Sequence, residues 1–463
     1  MFIKLDYSNC LKEIVGSEGI SLDEINALSQ QIKIAYSNIK KQKDEKKLGF
    51  MELPYKLDEA KKIKLYAESK RSKFDNFIVI GIGGSALGNI ALQQALKHPY
   101  WNFLNRNQRK GYLRLFVPDN VDPELISGLL DTVDLKKSLV NVISKSGSTS
   151  ECLANYFIIR EKLIKKVGKK NYSKHIIITT DPEKGYLREI VNKEKLDSFS
   201  IPANVGGRFS VLSPVGLLSA AFTGINIEKI LLGAQKMDRR CDNEELLKNP
   251  AALYAVIHYI FYNKNKKINV MLPYSNSLYG FADWFRQLWA ESLGKKFNRS
   301  GVIVKVGLTP IKALGVTDQH SQIQLYIEGP YDKVITFLSV EKFRTTVKIP
   351  KSVDNHYLGG HTLNELLKCE EEATRFALTE QERPNCTIII PEINEEFIGQ
   401  FVYLFELATT YAGELFNINA FDQPGVELGK QLTYALLGRP GYESKKHELE
   451  LKLSSVNKDK FIV

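Results

Sequence analysis

The chain has 463 residues, 43% of them hydrophobic and 25% charged, with a formal net charge of +11. That length and composition exclude a disordered chain and one simple domain, and they suit a soluble α/β fold with a large core. No apolar run approaches the roughly 20 residues of a membrane helix, and MFIKLDYSNC lacks the apolar stretch and cleavage site of a secretion signal.

Residues 21–47 read as a charged helix with apolar spacing at Ile25, Leu28 and Ile32, and 56–72 as a second helix. The run FIVIGI (77–82) then reads as a buried strand. LRLFVPD (113–119), LVNVIS (139–144), HIIITTD (175–181) and SFSIPA (198–203) follow as short strands, most of them separated by helix-like segments. A second series comprises INVMLP (268–273), VIVKVG (302–307), IQLYIEG (323–329), VITFLSV (334–340) and CTIIIPE (386–392). Strong helix patterns cover 281–292 and 397–416, and the charged tail from Ser444 reads as a terminal helix with a loose end. Strand–helix alternation predicts parallel sheets covered on both faces. A faint repeat joins the series. One strand feeds Gly84-Ser85-Ala86-Leu87-Gly88, the other Asn276-Ser277-Leu278-Tyr279-Gly280, and each turn opens a helix. Two related subdomains are expected, with segments 1–60 (helical, packing on the larger subdomain), 61–204, 205–435 and 436–463.

Six motifs carry candidate chemistry. Gly81-Ile82-Gly83-Gly84-Ser85-Ala86-Leu87-Gly88 follows a strand, so its backbone can approach a ligand closely and the next helix can offer N–H groups to an anion. Its spacing also fits the loose dinucleotide pattern, although the nearest strand-end acid, Asp119, is too distant for a ribose contact. Ser144-Lys145-Ser146-Gly147-Ser148-Thr149-Ser150 sets five hydroxyls and a lysine at a helix start, which suits a phosphate monoester or, more simply, a cap. Gly206-Gly207-Arg208-Phe209-Ser210 would let a guanidinium into a crowded site, or be a surface turn.

Gln287 and Glu291 are four apart and share a largely apolar helix face. Such a setting raises a carboxylate's pKa toward that of a general base, while the spacing equally allows a Glu291–Lys295 surface pair. His320, in Thr317-Asp318-Gln319-His320-Ser321, stands in a polar loop as a proton exchanger or a structural histidine. In Phe421-Asp422-Gln423-Pro424-Gly425-Val426-Glu427-Leu428-Gly429-Lys430, Gln423 and Lys430 lie two helical turns apart, and a Glu427–Lys430 pair is the plain alternative.

The five cysteines, Cys10, Cys152, Cys241, Cys369 and Cys386, are odd in number and widely spaced, and the seven histidines show no ligand spacing. No metal site is expected, and a reducing cytoplasm fits. The net charge reads either as a solvated lysine-rich surface or as attraction for an anionic partner; no nucleic-acid motif appears.

The six motifs, in this order over roughly 75–435, resemble the glucose-6-phosphate isomerase family. The resemblance implies two sugar-isomerase-type, flavodoxin-like subdomains in αβα layers. It implies a glycolytic and gluconeogenic aldose–ketose isomerase that needs no cofactor and works as a homodimer with composite sites. Glu291 would shuttle the proton, Arg208 would stabilise the enediolate, and His320 and Lys430 would open the ring. Ser144, Lys145, Ser146 and Thr149 would hold phosphate. Gly84, Ser85, Gly207, Gln287 and Gln423 would line the sugar site. Ala86 and Cys152 depart from the family pattern. A non-catalytic sugar-phosphate regulator and an NAD-linked oxidoreductase are the competing expectations.

Overall fold

Most of the apolar runs form strands because each of their two faces meets its own core. The computed structural model describes residues 1–351, 356–454 and 458–463. The strands among them are β1 (Lys4–Asp6), β2 (Asn76–Ile80), β3 (Arg114–Phe116), β4 (Ser138–Ser144), β5 (Ile176–Thr180) and β6 (Asp197–Ser200). The chain continues with β7 (Ile268–Pro273), β8 (Lys295–Phe297), β9 (Ile303–Val306), β10 (Thr309–Lys312), β11 (Lys333–Lys342) and β12 (Asn385–Glu392).

The first sheet runs β3-β2-β4-β5-β6 and is parallel throughout. The second runs β1-β12-β11-β7-β10, parallel except for β1, which pairs antiparallel with β12. Both are doubly wound. The chain leaves β2 for β3 on one side and crosses to β4 on the other; it likewise leaves β7 for β10 and crosses to β11. The crevices between β2 and β4, and between β7 and β11, are therefore topological switch points.

Period-two alternation divides the side chains of each strand. Phe77 and Val79 enter the large core, whereas Ile78 and Ile80 enter a second core under the outer helices. Met271 joins the large core while Val270 and Leu272 face a third. The large core is continuous across both sheets, so the two halves are fused by buried apolar surface.

Two helices carry that junction. Leu87–Leu96 follows β2 and Tyr279–Leu293 follows β7. They lie antiparallel: Gln94 Nε2 donates to the Asn276 carbonyl at 2.8 Å near one end. A Cβ on Gly280 would stand 2.8 Å from Gln94 Oε1 and 3.0 Å from Ala91 Cα, so glycine permits the contact.

The structure corrects several expected elements. IQLYIEG is not a strand: Ile323–Glu328 is helical, with Tyr326 buried and Ile323 and Ile327 beside it. VIVKVG supplies β9, which among the described residues pairs with β8 alone in a separate hairpin; the edge neighbour of β7 is β10 instead. The helix expected over 21–47 is two, Leu22–Asn26 and Ser29–Asp44. The N-terminal segment is not purely helical, because β1 extends the second sheet. Helix Glu443–Ser454 lies in the expected tail, while 455–457 fall outside the described residues. Among the described residues no helix is long and apolar enough to cross a membrane.

Candidate active site

The first switch point is bounded by the turn after β2 and the loop after β4. The turn Gly83–Ser85 opens with Gly83 at φ +54°, a left-handed conformation that favours glycine. Gly84 meets the second glycine motif backbone to backbone: a Cβ there would fall 2.3 Å from the Gly207 carbonyl carbon and 2.6 Å from Arg208 N. Gly207 itself faces open space. The two glycine motifs are thus one junction, and it aims Arg208 inward.

Arg208 is 3% exposed. Its Nε donates to Ser292 Oγ at 2.7 Å, and Nη2 donates to the carbonyls of Ala420 at 2.7 Å and Asp422 at 3.1 Å. Nη1 donates to Gln423 Oε1 at 3.1 Å and lies 3.4 Å from Glu291 Oε1. Burial draws its pKa below the usual guanidinium value, against the pull of Glu291 and Asp422.

Glu291 sits on the inward face of helix Tyr279–Leu293, partly open to solvent. Its Oε2 accepts from Gln287 Nε2 at 3.0 Å, the pair that i,i+4 spacing predicts. The apolar backing consists of the buried Trp284 and Leu288. Gln287 Nε2 also borders Gly83, and Gln287 Oε1 is buried with no partner among the described residues. An unpaired buried amide oxygen costs free energy until a donor arrives, which suits a ligand hydroxyl.

The loop after β4 gathers its hydroxyls. Ser144 Oγ lies 2.8 Å from Thr149 Oγ1, and Ser146 Oγ lies 3.4 Å from it. Thr149 occupies the N-cap of helix Ser150–Val167 without making a side-chain cap. Capping therefore does not account for these hydroxyls, and the helix start keeps free N–H groups beside them. Lys145 Nζ donates to the Ala203 carbonyl at 2.7 Å, and burial lowers its pKa. Cys152 points away into the core, donating to the Ile143 carbonyl, with its thiol pushed up to about 12 by burial.

Gly84, Gly207, Arg208, Gln287, Glu291 and Gln423 thus meet, with Ser85 and the hydroxyl loop on the adjacent strand ends. Two expected residues stand apart. His320 is exposed in a short 3-10 helix, Thr317–His320. Lys430 is exposed on helix Glu427–Leu436 and pairs with Glu427 at 2.8 Å.

Two residues were missed. Ser292 orients Arg208. Lys295, read as a surface partner of Glu291, is buried instead and donates to the carbonyls of Glu291 at 2.8 Å, Ser292 at 2.9 Å and Asp422 at 3.0 Å. Burial, followed by the charge of Arg208, pulls its pKa down to about 8. Their signal was a serine and a lysine closing an apolar helix, immediately after the candidate base.

The family model for phosphoglucose isomerase matches residues 66–452. A glucose-6-phosphate isomerase of Carboxydothermus hydrogenoformans is 47% identical over 97% of both chains. Its counterpart in Rubrobacter xylanophilus is 42% identical over 96% of this chain and 99% of that one. Among solved structures, a hypothetical protein of Thermus thermophilus superposes with TM-score 0.83 at 36% identity, covering 94% of this chain and 100% of that one. A glucose-6-phosphate isomerase of Chlamydia trachomatis gives TM-score 0.72 at 25% identity over 85% and 76%. With a family model spanning most of its length and relatives matched nearly end to end, the chain belongs to the phosphoglucose isomerase family.

Proposed function

We propose that the protein interconverts glucose 6-phosphate and fructose 6-phosphate. The carrying observation is a solvent-accessible carboxylate, Glu291, beside a buried, rigidly held guanidinium, Arg208, at the switch point that also presents the hydroxyl loop. The phosphate binds the Ser144–Thr149 loop and positions the sugar through binding energy remote from the reacting carbons. The ring opens by proton transfer from O1 to the ring oxygen. Glu291 then removes the C2 proton of the open aldose, a C1=C2 enediolate forms as the charge moves onto O1, the O2 proton passes to O1, and the same carboxyl returns a proton to C1 as the C2=O bond forms. Arg208 balances the charge that develops on oxygen. Gln287 and Gln423 hold hydroxyls.

In this reading His320 and Lys430 manage the ring-opening proton, and His320 does so in the site of a second copy. Its exposure and its place outside the Glu291 cluster support that role, as do exposed Leu428, Leu436 and Leu437 beside Lys430, which leave apolar surface for a partner. Five free cysteines, four of them buried, suit a reducing cytoplasm.

Incubation with fructose 6-phosphate in deuterated water tests the proposal. Glucose 6-phosphate carrying deuterium at C2 is the expected product. Binding without turnover would favour a regulator.

A further inference from the structure

Two elements of the Arg208–Glu291 site are the switch-point turn of the first sheet and the far end of the helix that leaves the second. The antiparallel pairing of helices Leu87–Leu96 and Tyr279–Leu293 creates the reciprocal arrangement at its other end. There the switch-point turn of the second sheet, Ser275–Ser277, meets the far end of the helix that leaves the first, Leu96–His98. A cavity of about 380 Å³ opens at that point, between the carboxyl ends of β7 and β11. It is the counterpart of the first crevice under an approximate twofold relation, and its Asn276–Gly280 turn is the repeat motif that the isomerase chemistry leaves unused.

The lining differs in its charge. Where the first crevice pairs a carboxylate with a guanidinium, this one is lined, among the described residues, by cations without an acid: Lys97, Lys342 and Arg344, with Ser275 and Ser277 on the turn. Lys97 Nζ lies 4.2 Å above the Trp101 ring, and Arg344 Nη2 donates to Ser277 Oγ at 3.2 Å. Lys342 is exposed and has no ion-pair partner among the described residues. Among the described residues Glu395 is the acid that acts on both Lys97 and Arg344. Burial draws the pKa of Lys97 down to about 8, Glu395 opposes it, and Lys110 and Arg344 add to it; a bound anion would relieve that crowding.

We propose that this crevice is a second anion site, taking a small phosphate monoester at the switch point of the second sheet. The cations and the hydroxyl of Ser277 hold the phosphate, and Trp101 and Phe343 flank the rest of the ligand. No residue lining it belongs to the Arg208–Glu291 cluster. Along the shared helix the two sites are about 18 Å apart, from Tyr279 to Glu291 at 1.5 Å per residue.

Calorimetric titration of the full-length protein with inorganic phosphate tests this. Two classes of site are expected. Arg344→Gln and Lys342→Gln should each weaken one class by about tenfold and leave kcat and KM for fructose 6-phosphate unchanged. Ser146→Ala with Thr149→Ala should weaken only the other class. A single class in the wild-type protein overturns the proposal, as does survival of both classes in Lys342→Gln, whose exposed side chain makes misfolding no explanation.

Discussion

Arg208 Nη1 stands 3.4 Å from Glu291 Oε1, while the other guanidinium nitrogens are held by Ser292, Ala420 and Asp422. The cation is fixed without a ligand, so in the proposed reaction it would spend no reorganisation as charge develops on the sugar oxygen. Arg208→Ala should lower kcat by about 10²–10³, with a smaller change in KM. Arg208→Lys should recover little, because an ammonium cannot reproduce the planar fork that four partners grip. The coupled fructose 6-phosphate assay reads both. An Arg208→Lys enzyme near wild-type rate would mean that charge alone suffices.

Glu291→Gln preserves the shape and the hydrogen bond with Gln287 but cannot take a proton. Turnover and solvent deuterium exchange at C2 should vanish together, while a non-isomerisable sugar-phosphate analogue binds with nearly unchanged affinity. Residual exchange in this variant would move the base elsewhere.

The hydroxyl loop separates binding from folding. Thr149 sits at a helix N-cap yet its side chain makes no cap. Thr149→Ala should therefore spare the roughly 1 kcal/mol that losing a working cap costs. Ser146→Ala and Thr149→Ala should instead raise KM for fructose 6-phosphate by about tenfold each, the worth of a hydrogen bond to a charged group. Thermal unfolding measured beside kinetics distinguishes the two; a lowered Tm with unchanged KM would reassign the loop to a capping role.

Lys295 ties stability to pH. Its pKa is about 8 when folded and 10.5 when unfolded. Between those values the unfolded chain holds a proton that the folded chain has released. This group's contribution to stability consequently rises with pH across that window. The unfolding free energy of the wild type, less that of Lys295→Met, should grow from pH 8 toward pH 10, as chemical denaturation at stepped pH will measure. A flat difference would mean that Lys295 stays charged among its three carbonyls.

Legibility followed the range of the interactions. Gln287 and Glu291 were readable because helix spacing alone puts them on one face. The glycine turns were readable because β2 and the following helix leave few residues able to bend there. Lys295 was not, since one of the three carbonyls that hold its ammonium inward belongs to Asp422, 127 residues away. Strand errors had the same source. Residues 323–329 have strand-like composition, but Ile323, Tyr326 and Ile327 follow the helical period, and Tyr326 is the buried one. In β10, proline and partial exposure masked a strand that exists through its pairing with β7. β1 is three residues long and owes its conformation to β12.

His320 offers the sharpest test of composite sites. It is exposed and lies outside the cluster that holds Glu291, and the proposal assigns it to the site of a neighbouring copy. His320→Ala and Glu291→Gln should each be nearly inactive as pure proteins. When the two are denatured together and refolded, half of a random dimer population is mixed. Each mixed dimer holds one site with both residues intact and one with neither. Activity should thus return to about a quarter of wild type, on the symmetry of a twofold dimer. If His320 served its own chain, every site in the mixture would lack one residue and nothing would return. Sedimentation of the mixture, run in parallel, confirms that dimers reformed and makes a null result decisive.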